Sequence, residues 1–359
     1  KSGTDHGTSG TGGGSMKLIR TEDAVGTVLC HDITQIIKDE KKGVLFKKGH
    51  VVKEEDIPLL LSVGKEHLFV WEKKPGILHE NEAAAILYKI CAGNSFKVHG
   101  TEIKEGKIEV VSKIDGILKI RRDALLAVNS LGEMMIASRH GDFPIKKGDK
   151  VAGTRIIPLV IEKEKMDAAE RAAGNLPIFD ILPYQQKKVG IVTTGSEIKK
   201  GLIQDTFTPV LREKLSGFPT EVTGQVMPGD DKEEITKAIL SFADAGADLI
   251  ICTGGMSVDP DDRTPGGIRN TGAKIVTYGA PVLPGAMFLL SYYREKIPIV
   301  GLRGCVMYAK RTIFDLVLPR IMCDEKLHEK DFRLLGQGGL CLSCPVCTFP
   351  NCGFGKGGY

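Results

Sequence analysis

Two apolar runs that each end in Thr-Gly restrict the fold of this chain more than any other feature. The first is Val189-Gly-Ile-Val-Thr-Thr-Gly-Ser-Glu197, and the second is Ile250-Ile-Cys-Thr-Gly-Gly-Met-Ser-Val-Asp-Pro-Asp-Asp262. A short continuous apolar run closed by a Gly turn fits a strand buried on both faces, as in a parallel sheet. Open α/β sheets bind ligands at the carboxyl ends of their strands. If the two runs are adjacent parallel strands, Glu197 and Asp262 point into one crevice.

The surrounding residues keep this β-α alternation. Thr208-Pro209 offers an N-cap and an N1 proline before a helix with Leu211 and Leu215. Val222–Met227 reads as the next strand. Asp231-Lys-Glu-Glu234 resembles a capping box, and Ile235, Ala238, Ile239, Phe242 and Ala243 mark one helix face. Leu249–Thr253, Ile275–Tyr278, Phe288–Ser291 and Ile297–Gly301 read as strands, and Tyr308–Met322 as a closing helix. The expected class is α/β: a three-layer, mostly parallel sheet over 187–325, with additional α+β N-terminal domains.

Upstream, Glu54–Val63 has helical spacing and His67–Trp71 reads as a strand, giving an N-terminal segment 16–76. Residues 77–173 read as an α+β module. It has helices at Glu82–Cys91, Arg122–Leu131 and Glu162–Ala173, a hairpin over Lys107–Ile120 around Asp115-Gly116, and further strands in Gly132–Ile161. Residues 174–186, with Pro177 and Pro183, read as a linker, and 326–359 as a Cys-rich tail. Residues 1–15 are rich in Gly, Ser and Thr, precede Met16 and lack a signal peptide's apolar stretch, so they read as an appended leader.

The strand-end loops carry the candidate chemistry. Gly195 permits a tight turn after Thr194, with Ser196 and Glu197 following. Paired Gly254 and Gly255 after Thr253 can present N–H groups to an anion, and Ser257 adds a hydroxyl. Asp259, Asp261 and Asp262 are too acidic to cradle a phosphate directly; they suit Mg²⁺ held between carboxylate and phosphate. An ordinary βα turn and a solvated acidic loop satisfy the same local sequences. Asp230 and Asp231 stand where strand gives way to helix, where an N-cap accounts for one of them. No P-loop, nucleophile elbow or dinucleotide fingerprint occurs.

The formal net charge is only +4 and no long basic run occurs, so nucleic-acid binding through a charged face is not expected. The longest apolar stretch, Ala286–Tyr293, is too short to span a bilayer. Five cysteines are scattered among apolar neighbours, which suits reduced thiols and a cytoplasmic location. The other four, Cys341, Cys344, Cys347 and Cys352, form C-x₂-C-x₂-C-x₄-C. That density suits a tetrahedral Zn²⁺ site or an iron–sulfur cluster such as [4Fe–4S]. Glycines at 336–339 and 353–358 flank it, so a flexible tail is expected without metal.

Taken in order, the motifs resemble the molybdopterin-binding domain shared by MoeA-type molybdopterin molybdenumtransferases and MogA/MoaB-type proteins. The matching stretches are Thr194-Gly-Ser-Glu197, Asp230-Asp231, Thr253-Gly-Gly-Met-Ser-Val258 with Asp262, Pro284-Gly285, and Gly301-Leu-Arg-Gly304. Phe46-Lys-Lys-Gly49 with Glu55–Gly64 is similar to a MoeA segment as well. The resemblance implies binding of molybdopterin or its adenylylated form with Mg²⁺, and MoeA-like adenylate cleavage and insertion of molybdate. It assigns Glu197, Asp231 and Asp262 to the metal or the phosphates. Thr194, Gly195, Ser196, Asp230, Thr253, Gly254, Gly255, Ser257, Pro284, Gly285, Gly301, Arg303 and Gly304 become ligand contacts. It also implies a homo-oligomer, and the Cys-rich tail offers a surface for a protein partner. Two departures stand out: Ala286 where MoeA proteins carry the lysine of P-G-K-P, and Arg303 where the family has proline. Arg303 could supply the missing cation. A MogA-like adenylyltransferase, and a carrier or sensor that binds without turnover, remain open alternatives, as does the choice between molybdenum and tungsten.

Overall fold

The computed structural model describes residues 16–35, 43–71, 75–202, 204–256 and 263–357. Residues 1–15 and the candidate site residues Ser257, Asp259, Asp261 and Asp262 lie outside these residues. The chain divides into two compact units, one of 1–114, 119–139 and 146–180, the other of 115–118, 140–145 and 181–359.

The first unit holds two small structures. Strands Met16–Arg20, His67–Trp71 and Val28–Leu29 form one sheet, and Ile57–Ser62 supplies its helix. Leu29, Ile33, Val52, Leu60, Leu68 and Val70 form the core there. A four-stranded antiparallel sheet runs in the order Met134–Ser138, Lys150–Ile156, Lys107–Ser112, Val98–Gly100. Its helices are Glu80–Ala92, Arg122–Asn129 and Lys163–Ala173, as the spacing predicts within two residues.

The expected hairpin does not form. Lys107–Ser112 pairs with Lys150–Ile156, whereas Ile117 and Gly116 pair with Pro144 and Ile145. A two-residue hairpin turn needs positive φ, which Gly116 does not take. Gly116 is needed for another reason: a Cβ there would lie 2.2 Å from the Leu182 carbonyl oxygen. The segment read as a linker is also not structureless. It contains strand Phe179–Pro183, with Phe179 and Ile181 buried, because its alternating apolar residues outweigh the two prolines.

The second unit is built on a six-stranded sheet. Its strands are β1 (Lys187–Thr193), β2 (Thr220–Val226), β3 (Leu249–Thr253), β4 (Lys274–Tyr278), β5 (Leu289–Tyr293) and β6 (Ile297–Leu302). The spatial order is β2-β1-β3-β6-β5-β4. The first four in that order are parallel, and β5 and β4 are antiparallel additions. The helices are α1 (Ser196–Lys199), α2 (Phe207–Leu215), α3 (Lys232–Asp244), α4 (Thr264–Asn270), α5 (Cys305–Tyr308), α6 (Ile313–Met322) and α7 (Glu329–Arg333).

Successive strand residues point to opposite faces, so a run apolar at every position must be covered twice. Val189, Ile191, Leu249 and Ile251 pack with Leu211 and Leu215 of α2 and Ile313, Phe314 and Val317 of α6. Val192, Ile250 and Cys252 pack with Ile235, Ile239 and Phe242 of α3 and Ile268 of α4. This is the three-layer arrangement around β1 and β3. Gly190 faces α3, where a Cβ would come within 2.4 Å of the Phe242 ring.

Two helix starts differ from expectation. Thr208 lies inside α2, because Asp205 Oδ1 accepts the Phe207 and Thr208 N–H groups at 2.9 and 3.2 Å and starts the helix earlier. The closing helix starts at Ile313. There Thr312 accepts the Phe314 N–H and Asp315 returns a bond from the Thr312 N–H at 2.8 Å, a reciprocal cap. The tail is packed down, contrary to the expectation from its glycines. The Leu283 N–H donates to the Gly339 carbonyl and the Cys341 N–H to the Leu283 carbonyl, both at 2.8 Å. A Cβ on Gly355 would lie 2.5 Å from Leu316, so these glycines permit close approach of main chain to core.

Candidate functional site

The carboxyl ends of β1, β2 and β3 come together as the sequence predicts. Thr194 ties two of them. Its N–H and its hydroxyl both donate to the Thr253 carbonyl, at 2.8 and 3.0 Å. The same hydroxyl stands 2.9 Å from that of Thr264, which donates to the Gly254 carbonyl at 2.9 Å. A Cβ on Gly254 would lie 2.5 Å from the Thr194 carbonyl oxygen, and one on Gly255 would lie 2.8 Å from Thr264 Oγ1. Both glycines take left-handed φ values, +82° and +53°. The approach of one strand-end loop to the other therefore requires the glycine pair. Thr253 Oγ1 is buried beside this turn without a hydrogen-bond partner.

The third loop joins through Asp230, whose Oδ2 accepts the Ser196 N–H at 2.6 Å. Asp231 Oδ1 accepts the N–H groups of Glu233 and Glu234, both at 2.9 Å, and so caps α3. Glu234 does not close the capping box; its carboxylate pairs with Lys199 at 2.5 Å, and Lys199 also donates to the Pro228 carbonyl. An open crevice of about 890 Å³ lies over these residues, lined by Ser196, by the carboxylates of Asp230, Asp231, Glu233 and Glu234, and by Lys199, Lys200, Lys232 and Arg263. Two of its carboxylates accept backbone N–H bonds and a third is paired with Lys199, so the crevice is of mixed charge, with lysine and arginine side chains of the type that contacts oxyanions.

Behind the β1 and β2 ends, Asp205 is held below the usual carboxylate range. Burial pushes it up, but hydrogen bonds from Thr208, Gln225 and the Phe207 and Thr208 N–H groups outweigh that. Gln225 bridges Asp205 Oδ2 at 2.6 Å and Thr193 Oγ1 at 2.9 Å.

The remaining motif residues have their own positions. Gly301 at the end of β6 leaves room for Met256, whose methyl carbon would stand 2.7 Å from a Cβ there. Arg303 is exposed at the end of the same strand, and Gly304 opens α5. Burial pushes the Cys305 thiol up, with Arg303 opposing. Pro284-Gly285 sits on the start of α6: the Ile313 N–H donates to the Pro284 carbonyl at 3.2 Å, and a Cβ on Gly285 would meet Ile313 at 2.6 Å. Glu197 is exposed in α1.

The described residues do not assemble the three-carboxylate metal site. No group of three or more His, Cys, Asp or Glu among them could hold one ion. Asp231 caps α3 through Oδ1, and Asp262, the third carboxylate of that set, lies outside the described residues. No described helix is long and apolar enough to cross a membrane. Thr264, Lys232 and Arg263 were not legible as site residues. Their one sequence signal is Thr264-Pro-Gly-Gly267, whose glycines let Lys232 and Ile235 of α3 lie against α4 at 2.8 and 2.5 Å from the would-be Cβ atoms.

The family described as "Probable molybdopterin binding domain" matches residues 190–322, which contain every element of this crevice. Residues 18–72 match a family described only as a domain of unknown function. A molybdopterin molybdenumtransferase of Haemophilus influenzae is 25% identical over 264 residues, 68% of this chain and 62% of that protein. A CinA-like protein of Mycolicibacterium gilvum is 36% identical over 77 residues, 21% of this chain and 18% of that protein. The chain thus spans less than two thirds of the length of either relative. Among solved structures, the molybdopterin biosynthesis enzyme MoaB of Thermus thermophilus is 24% identical, with 40% of this chain and 99% of that chain covered and a TM-score of 0.32. The tungsten cofactor synthesizing protein MoaB of Pyrococcus furiosus is 19% identical, with coverage of 39% and 89% and a TM-score of 0.29.

Proposed function

We propose that the crevice binds the phosphate end of molybdopterin or its adenylylated form. On this reading the chain acts in molybdenum cofactor assembly, releasing AMP and admitting molybdate to the dithiolene. The observation that carries the reading is the open crevice over the joined strand ends, with Lys200, Lys232 and Arg263 among its carboxylates, within the segment that matches the family. Lys200, Lys232 and Arg263 attract and orient the phosphates. The Thr194–Thr253–Thr264 network fixes the loops, so little reorganisation is needed when ligand arrives. Ser196, anchored by Asp230, supplies a hydroxyl at the crevice floor. Glu197 and Asp262 are the carboxylates proposed to act on the phosphates. No step is routed through Mg²⁺, and its effect is measured separately.

The test is incubation of the chain with adenylylated molybdopterin and molybdate, with and without Mg²⁺, reading AMP release and binding. Charge-assisted contacts contribute about 1.5–3 kcal/mol each, so Lys232→Ala should weaken binding roughly tenfold or more. AMP release lost in Asp262→Asn supports turnover. Tight binding without AMP release assigns the chain to carriage, a reading that Ala286 in place of the family lysine favours. Absence of binding defeats both.

A further inference from the structure

The four clustered cysteines line one cavity of about 420 Å³. Cys341 and Cys352 are partly buried and pack against the core of the second unit, while Cys344 and Cys347 are exposed at the mouth. Leu342, Phe349 and Phe354 make much of the wall apolar. This wall is rigidly held: Phe354 belongs to the core, Phe349 stacks between Phe143 and Phe354, and Cys341 is bonded to Leu283.

The same wall carries positive charge. Arg311 lies over the Phe349 ring at 4.9 Å and hydrogen-bonds Cys347. Its Nη1 also pairs with Asp315 at 2.9 Å, and its Nε is buried with no partner. Lys310 donates to the Pro345 carbonyl at 2.8 Å, between Cys344 and Cys347. A buried donor without an acceptor costs about 1–3 kcal/mol, so this cavity is suited to content that accepts hydrogen bonds.

The spacing of the thiols selects among metals. Four thiolates on one Zn²⁺, at about 2.3 Å each, stand about 3.8 Å from one another. Among the described residues no three such ligands are placed around one ion. All four nevertheless line one cavity of about 420 Å³, which has room for a group larger than a single ion. Sulfide-bridged iron clusters have that size and take four cysteine ligands; C-x₂-C-x₂-C is the opening of the bacterial ferredoxin run. The last interval here, four residues rather than three, brings Cys352 back to the same cavity.

We propose that Cys341, Cys344, Cys347 and Cys352 hold a [4Fe–4S] cluster in this cavity, with Arg311 donating to its sulfur. The ligand class is a soft, anionic, polynuclear iron–sulfide centre. Its apolar wall limits water, and the guanidinium offsets negative charge on sulfur and raises the potential of the centre. This site is independent of the strand-end crevice, so either can fail alone.

The experiment uses the full chain, purified anaerobically and also reconstituted with ferrous iron and sulfide. Iron and acid-labile sulfide should each reach about 4 per chain, with the absorption and reduced-state EPR signals of such a cluster. Cys344→Ser and Cys347→Ser change exposed residues and should keep the circular dichroism of the parent while losing most of the iron. Cys30→Ser, outside the cavity, should keep it. Arg311→Gln should retain iron and lower the midpoint potential. A chain that takes up one Zn²⁺ from a titration with Zn²⁺ alone and no iron overturns the proposal. So does a folded Cys344→Ser, Cys347→Ser double variant with full iron content.

Discussion

Gly254→Ala separates two reasons for a glycine at the end of β3. If the glycine serves only to let a ligand approach, alanine weakens binding and leaves the fold alone. The structure gives a different reason. The residue sits at φ +82°, and its added Cβ would lie 2.5 Å from the Thr194 carbonyl oxygen. A left-handed conformation costs an L-residue about 1–2 kcal/mol. The contact is with main chain anchored by the Thr194–Thr253 hydrogen bond, so relief requires moving the loop, at about 1–3 kcal/mol. The sum is about 2–5 kcal/mol, or roughly a 4–20 °C fall in Tm for a unit of this size. Gly255→Ala is the internal control. Its Cβ would meet Thr264 Oγ1 at 2.8 Å, a side-chain atom rather than main chain. Urea and thermal unfolding followed by circular dichroism should rank Gly254→Ala well below Gly255→Ala, with both below the parent. A Gly254→Ala protein within about 0.5 kcal/mol of the parent would refute the argument from chain crossing.

Three further outcomes follow from single residues. Asp231→Ala should lose about 1 kcal/mol and Asp231→Asn about half of that or less, because asparagine still caps α3; retained AMP release in Asp231→Asn would confirm a structural carboxylate. Asp205 has a depressed folded pKa, so its contribution is complete above the unfolded value of about 3.9 and is lost as pH falls through the folded value. Asp205→Asn should flatten the loss of stability with acid in that window, which unfolding at a series of pH values reads directly. Glu80 has the opposite sign: burial pushes its carboxyl up, so it favours folding most below the unfolded pKa and least once ionised. Glu80→Gln should therefore be more stable than the parent at pH 7 and not at pH 3, measured by denaturant midpoint.

Much of the second unit was legible because its strands are apolar at consecutive positions and its helices carry one apolar face. Ile191 and Val192 must go to opposite sides of a sheet, and both are buried. The parallel pairing of the two Thr-Gly strands, β1 and β3, was legible too. What was not legible depends on partners distant in sequence. Thr264 gains meaning only because folding brings it to Thr194. Asp205 takes the capping role from Thr208 through two N–H bonds that local sequence does not announce. Gly116 looked like a turn residue, yet its requirement comes from the Leu182 carbonyl. The tail glycines suggested freedom for the same reason: absence of a side chain reads as looseness until the atom that needs the space is known. Asp231 takes the N-cap role that the sequence offered for one of the Asp230-Asp231 pair.

The outer strand β2 has a further consequence. It ends the sheet, and Glu221 and Thr223 are exposed along it, with a register shift between Val189 and Gly190 in its pairing to β1. Charge and irregular pairing at a sheet's margin discourage another chain from adding a strand there. Concentrated samples should therefore resist growth into β-rich aggregates from this margin.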